Sequence, residues 1–72
     1  MLQRKLGKRI GDLRRAKKLT QEELAEAVGC SVEFISLVER GVNAPSVAGL
    51  EKLSKALSVE VKELFTFEEK KR

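Results

Sequence analysis

"TQEELAEAVGCSVEFISLVERG", residues 20–41, holds two helix starts and a stop between them. Thr20 and Glu23 have the spacing of a capping box: the Thr20 hydroxyl accepts the Glu23 amide hydrogen, and the Glu23 carboxylate reaches back to the Thr20 amide. The helix that begins there buries Leu24, Ala25 and Val28. Gly29 stops it, because glycine enters the left-handed conformation without a Cβ clash. Cys30 alone then separates that glycine from Ser31, a natural N-cap for a second helix. This second helix has Ile35 and Val38 on its apolar seam and ends at Gly41. Two short helices joined by so tight a turn predict a helix-turn-helix unit.

Upstream, Leu2, Leu6, Ile10 and Leu13 recur every three to four residues and predict a first helix over 2–18. Gly7 and Gly11 weaken it by up to ~1 kcal/mol each relative to Ala, but at that spacing they also allow close helix packing. Downstream, Asn43 to Ser46 form a loop ending in another serine cap. A fourth helix follows with Val47, Leu50, Leu53 and Leu57, then a short fifth with Val61, Leu64 and Phe65. Ser58 is strained if held left-handed and Glu60 is a poor cap, so the start of the fifth helix is loosely specified. The expectation is an all-α, compact five-helix bundle in one domain over residues 1–67, with a charged tail over 68–72.

Composition narrows the function classes. A chain of 72 residues holds one core and buries only about 60% of its unfolded surface, so dimerisation is a natural source of added stability. It has one Cys and no His. An intrachain disulfide and a thiol–metal cluster are excluded, and the inventory for acid–base or metal chemistry is nearly empty. No enzyme, metal site or cofactor is expected. No apolar run approaches the roughly 18 residues of a membrane span, and the basic N-terminus lacks the apolar stretch of a secretory signal. A cytoplasmic protein is expected.

The net charge of +4 is unevenly placed. Arg4, Lys5, Lys8, Arg9, Arg14, Arg15, Lys17 and Lys18 face Asp12 alone in the first segment, while the remainder is mildly acidic. A positive segment on an acidic body suggests a polyanion touching one side.

With Ile35 at 0° on a helical wheel, the buried direction of the second unit helix lies at about 330° and the outward direction at about 150°. Glu33, Ser36, Leu37 and Arg40 point outward, flanked by Val32 and Phe34. Glu accepts a hydrogen bond from the cytosine amino group, and apolar side chains contact the thymine methyl. Val32, Glu33, Ser36 and Leu37 are therefore the candidate base readers. Phe34 is read as a lid on the core edge and Cys30 as a packing residue. Gln21, at the first position of its helix, sits where a phosphate would meet the helix amides.

Further residues carry a family likeness. "TQEELAEAVGCSVEFISLVERGVNAPS" followed by "LEKLSKALSVEVKELF" resembles the Cro/repressor-type (XRE-like) helix-turn-helix regulators, from about Leu6 to Phe65. The markers are Thr-Gln-x-x-Leu-Ala, Ile-Ser-x-x-Glu-Arg-Gly and the Pro-Ser before the fourth helix. The resemblance implies a five-helix bundle that dimerises on a near-palindromic double-stranded operator and regulates transcription, as a phage-type repressor, a restriction-modification controller or an antitoxin. It implies operator-backbone contacts at Gln21, Arg40 and Asn43, to which Lys17 and Lys18 add longer-range attraction. It also implies a structural ion pair between Arg14 and Glu39. Val61, Leu64, Phe65 and Phe67 give the fifth helix more apolar surface than a small bundle readily covers, and they are the expected homodimer interface. The alternative is an adaptor that keeps the fold, has little DNA affinity and binds a protein partner; Glu33, Leu37, Phe65 and Phe67 motivate it.

Overall fold

The computed structural model describes residues 1–67; the charged tail expected over 68–72 lies outside the described residues. The described chain forms α1 (Leu2–Ala16), α2 (Gln21–Val28), α3 (Val32–Glu39), α4 (Val47–Ala56) and α5 (Val61–Leu64). No strand occurs among these residues. The all-α bundle is thus the architecture that the apolar periods predict.

The starts of the middle helices follow from their caps. At α2 the Glu23 amide donates to Thr20 Oγ1 at 3.0 Å and the Thr20 amide donates to Glu23 Oε1 at 2.8 Å. Ser31 Oγ accepts the Phe34 amide, and Ser46 Oγ accepts the Gly49 amide, each at 3.0 Å. Each cap satisfies one of the amides that a helix start leaves unpaired. α1 closes two residues before the expected position 18. Lys18 adopts φ 62°, and this left-handed residue turns the Leu19 amide back onto the Arg14 carbonyl at 3.1 Å.

Ile10, Leu24, Ile35, Val38, Leu53, Leu57 and Leu64 are fully buried, with Leu6 and Ala25 beside them. Each fully buried Leu or Ile contributes about 1.5–3 kcal/mol relative to exposure. Leu2 and Val47 share the helical period but stay exposed, because the core is built from the inner turns of α1 and α4. α1 lies directly on α3 at Gly7, where a Cβ would overlap the Val38 carbonyl oxygen. The close packing expected of a glycine pair is realised there.

One expectation fails. Leu64 is expected in the homodimer interface, but the structure buries it completely. α5 packs chiefly on α4 and α1, and Arg9 Nε donates to the Glu63 carbonyl at 2.8 Å to clip it down. A four-residue helix held from two sides has one inward position, and Leu64 occupies it. Leu64 therefore supplies no surface for a second subunit.

Candidate nucleic-acid interface

Gly29, with φ 87°, makes the turn between α2 and α3, and the Gly29 and Cys30 amides both donate to the Ala25 carbonyl. This turn fixes which face of α3 points inward. Ile35 and Val38 enter the core, while Val32, Glu33 and Arg40 are exposed and Ser36 and Leu37 are half-buried. Phe34 and Cys30 pack against the core edge. Burial pushes the Cys30 thiol above its ordinary pKa, against a smaller opposing pull from Lys52. A raised pKa disfavours the thiolate, the reactive form of the side chain.

Behind the outward face lies a polar network. Arg14 Nε donates to Glu39 Oε2 at 2.7 Å and Arg14 Nη2 to Glu39 Oε1 at 3.2 Å, with both side chains about nine-tenths buried. Arg14 Nη1 also donates to the Leu19 carbonyl at 2.7 Å, and Gln21 Nε2 donates to Glu39 Oε1 at 3.0 Å. The Arg14–Glu39 pair thus ties together α1, the α1–α2 turn, the start of α2 and the end of α3. Gln21 is less free than its position suggests. An amide nitrogen carries two hydrogens, and the bond to Glu39 uses one.

Between α1 and α3 runs an open cleft of about 350 Å³, lined by Gly7, Lys8, Gly11, Arg15, Gln21, Ser36, Glu39 and Arg40. Four of the residues singled out from sequence, Gln21, Ser36, Glu39 and Arg40, meet here. The others lie outside this lining: Lys17 and Lys18 are exposed at the end of α1, Asn43 is half-buried in the loop after α3, and Val32, Glu33 and Leu37 lie elsewhere on α3.

Lys8 and Arg15 were not singled out. Their signal is the seven-residue spacing that puts both on one face of α1, next to Gly11. Asp12 lies between them. Lys8 Nζ donates to Asp12 Oδ2 at 3.1 Å and Arg15 Nη2 to Asp12 Oδ1 at 2.9 Å. Slight burial works to raise the Asp12 pKa, but the hydrogen bonds and charges of Lys8 and Arg15 outweigh it, and the carboxyl sits below its ordinary value.

At the far end of α1, Val61 and Phe65 are exposed and Phe67 is half-buried. The Phe65 and Phe67 rings meet edge to face with centroids 6.4 Å apart, and Lys5 Nζ stands 5.9 Å from the Phe67 centroid. Phe67 thus reaches back to α1 at Lys5. No group of three or more metal-ligating side chains occurs among the described residues, and none of their helices is long and apolar enough to cross a membrane.

A helix-turn-helix family model matches residues 10–64. The chain is 43% identical over 61 residues to the uncharacterized HTH-type transcriptional regulator y4dJ of Sinorhizobium fredii, covering 85% of this chain and 79% of that protein. It is 38% identical over 58 residues to the uncharacterized HTH-type transcriptional regulator YazB of Bacillus subtilis, covering 81% and 84% respectively. Among solved structures it is similar to the restriction-modification controller protein C.AhdI of Aeromonas hydrophila. That match has a TM-score of 0.84 and 42% identity, and covers 86% of this chain and 94% of the other.

Proposed function

Because this chain belongs to the helix-turn-helix family of Cro/repressor-type transcriptional regulators, we propose that it binds a specific two-fold operator as a homodimer, with α3 in the major groove. The observation that carries this reading is the side of α3 away from the core. It presents Val32, Glu33 and Arg40 to solvent and borders a cleft shared with Gln21. Val32, Glu33, Ser36 and Leu37 read base edges, Glu33 by accepting from a cytosine amino group and the apolar pair by touching thymine methyls. Gln21, Arg40, Asn43, Lys17 and Lys18 hold the backbone. These contacts position the protein and carry most of the affinity.

Among the roles open to such a regulator, restriction-modification control has the most support, through the match over nearly the whole of C.AhdI. A gene neighbourhood holding a methyltransferase and endonuclease pair checks that role. The DNA reading itself is tested by selecting bound sequences from a random duplex pool. The expected product is a pair of inverted half-sites with centres about 34–36 Å apart, one helical turn. Recovery of a lone half-site sinks the dimeric reading, and recovery of nothing sinks DNA binding and favours the adaptor.

A further inference from the structure

We propose that the α1–α3 cleft seats one backbone phosphate of each operator half-site, gripped by Lys8 and Arg15 as well as by Gln21 and Arg40. In the same proposal Asp12 is the internal anion which holds those two α1 cations in place and which the phosphate displaces. The inference rests on the DNA-binding reading and gives a defined place in it to two cations of α1 that the sequence names only as part of a basic segment.

Three observations carry it. First, Lys8 and Arg15 approach the same carboxylate from either side, at 3.1 and 2.9 Å. The two cations already converge on one anion, whose side chain is 45% exposed. Second, Arg15 lies over the cleft floor. Its Nη1 and Nη2 would each stand 3.4 Å from a Cβ on Gly11, and Glu39 Oε1 would stand at 3.3 Å, so a side chain at position 11 would crowd both groups. A guanidinium has five donor hydrogens, and the bond to Asp12 occupies one. Third, the charge in the cleft is favourable. Arg14 neutralises Glu39 and Asp12 offsets one of the α1 cations, which leaves the lining with a net positive charge alongside Arg40.

A phosphodiester entering from the open side meets these donors at once, together with the remaining Gln21 amide hydrogen. Arg and phosphate form short, charge-assisted hydrogen bonds, stronger than those between neutral groups. The exposed ion pairs to Asp12 are cheap to break, since such pairs contribute little in water. Asp12 is thus a positioning residue. It keeps two long side chains from spreading into solvent and competes with the phosphate for them.

The test uses the full chain and its selected operator. Affinity is measured from 50 to 200 mM salt for the wild type, Lys8→Ala, Arg15→Ala, Asp12→Asn and Lys55→Ala. Lys55 is an exposed lysine on α4, outside the cleft. Each lost phosphate contact makes the fall in affinity over that range shallower by about 3.5-fold, following a slope of about 0.9 per contact, so a variant that loses one in each half-site of a dimer shows about 12-fold. Lys8→Ala and Arg15→Ala are expected to show it and Lys55→Ala is not. Asp12→Asn is expected to tighten binding to every sequence by about two- to five-fold, the range open to an exposed ion pair.

Site specificity comes from operators in which one phosphate at a time is replaced by a neutral methylphosphonate. At a single position per half-site the wild type should lose clearly more than the Lys8→Ala, Arg15→Ala double variant, which keeps only Gln21 and Arg40 on that phosphate. Equal losses for both proteins at every position overturn the proposal, as does an unchanged salt slope. If the wild type binds no duplex at all, the DNA reading falls first and this inference with it. If the wild type binds its operator but no phosphate behaves in this way, this inference alone is wrong. Circular dichroism confirms that each variant is folded, so a loss of binding cannot be a loss of structure.

Discussion

Glu39 accepts from Arg14 twice and from Gln21 once, in a position about nine-tenths buried. Such a pair adds little net stability when intact, because desolvating both charges costs about as much as their attraction returns. Removing one partner is a different matter. Glu39→Ala leaves the Arg14 guanidinium in a nearly dry site with no anion, and is expected to cost on the order of 3–5 kcal/mol. Replacing both residues by apolar side chains of similar size, Arg14→Met with Glu39→Leu, is expected to recover most of that loss. Urea unfolding at constant m-value measures both, and a Glu39→Ala loss under about 1 kcal/mol would mean that water already shields the guanidinium. The pair was legible in the sequence only through family likeness, since Arg14 and Glu39 lie in different helices with nothing local to join them. The Gln21 bond to Glu39 was not legible at all. A residue at a helix start reads as solvent-facing until the neighbouring helix is in place.

At the scale of elements, legibility follows the strength of the local signal. The Thr20–Glu23 box, the Gly29 stop and the serine caps at 31 and 46 each act within a few residues, and all lie where the sequence puts them. The apolar period predicts an end of α1 two residues too late, because nothing in Ala16–Lys17–Lys18 announces a left-handed lysine. Lys8 and Arg15 are hard to read for a related reason. The net charge of the first segment carries no information about which face of α1 each cation occupies, and the cleft depends on that face.

The α4–α5 junction is where local chemistry and fold disagree most. Ser58 sits at φ 60°, and Glu60 caps α5 without a side-chain hydrogen bond. A non-glycine left-handed residue is strained by roughly 1–2 kcal/mol, part of which glycine returns through its freer unfolded chain. A serine at position 60 would supply the missing cap, worth about 0.5–2 kcal/mol. Ser58→Gly with Glu60→Ser is therefore expected to stabilise by about 1–2 kcal/mol, at roughly 4–8 °C in Tm per kcal/mol for a domain of this size. Thermal unfolding followed by circular dichroism reads the shift. An unchanged Tm would show that docking of α5 does not depend on how it starts.

At the scale of the molecule, the basic cleft and the aromatic corner mark two separate surfaces. α5 packs chiefly on α4 and α1, so a partner docked on its outer side leaves α3 uncovered. A two-fold axis through such a patch would present two copies of α3 to successive turns of one groove. With Leu64 in the core, the outer side of α5 is Val61 and Phe65, continued by Phe67 under Lys5 and by exposed Leu2 one turn before it. An aromatic side chain buries about 150–250 Å² when covered, so Phe65 and Phe67 are the largest single contributors available to an interface there. The decisive variant must spare the core, which rules out any substitution at Leu64. Val61→Ser with Phe65→Ser removes apolar area that is already exposed, and is expected to leave helicity intact while shifting sedimentation from dimer toward monomer. Operator affinity should then fall more steeply with dilution, because each half-site must bind its own free subunit. A folded dimer of undiminished affinity would move the interface to the other exposed apolar surface, Val42 and Val47 around the loop before α4. The geometry of the two α3 helices on DNA would then have to be derived again from that contact.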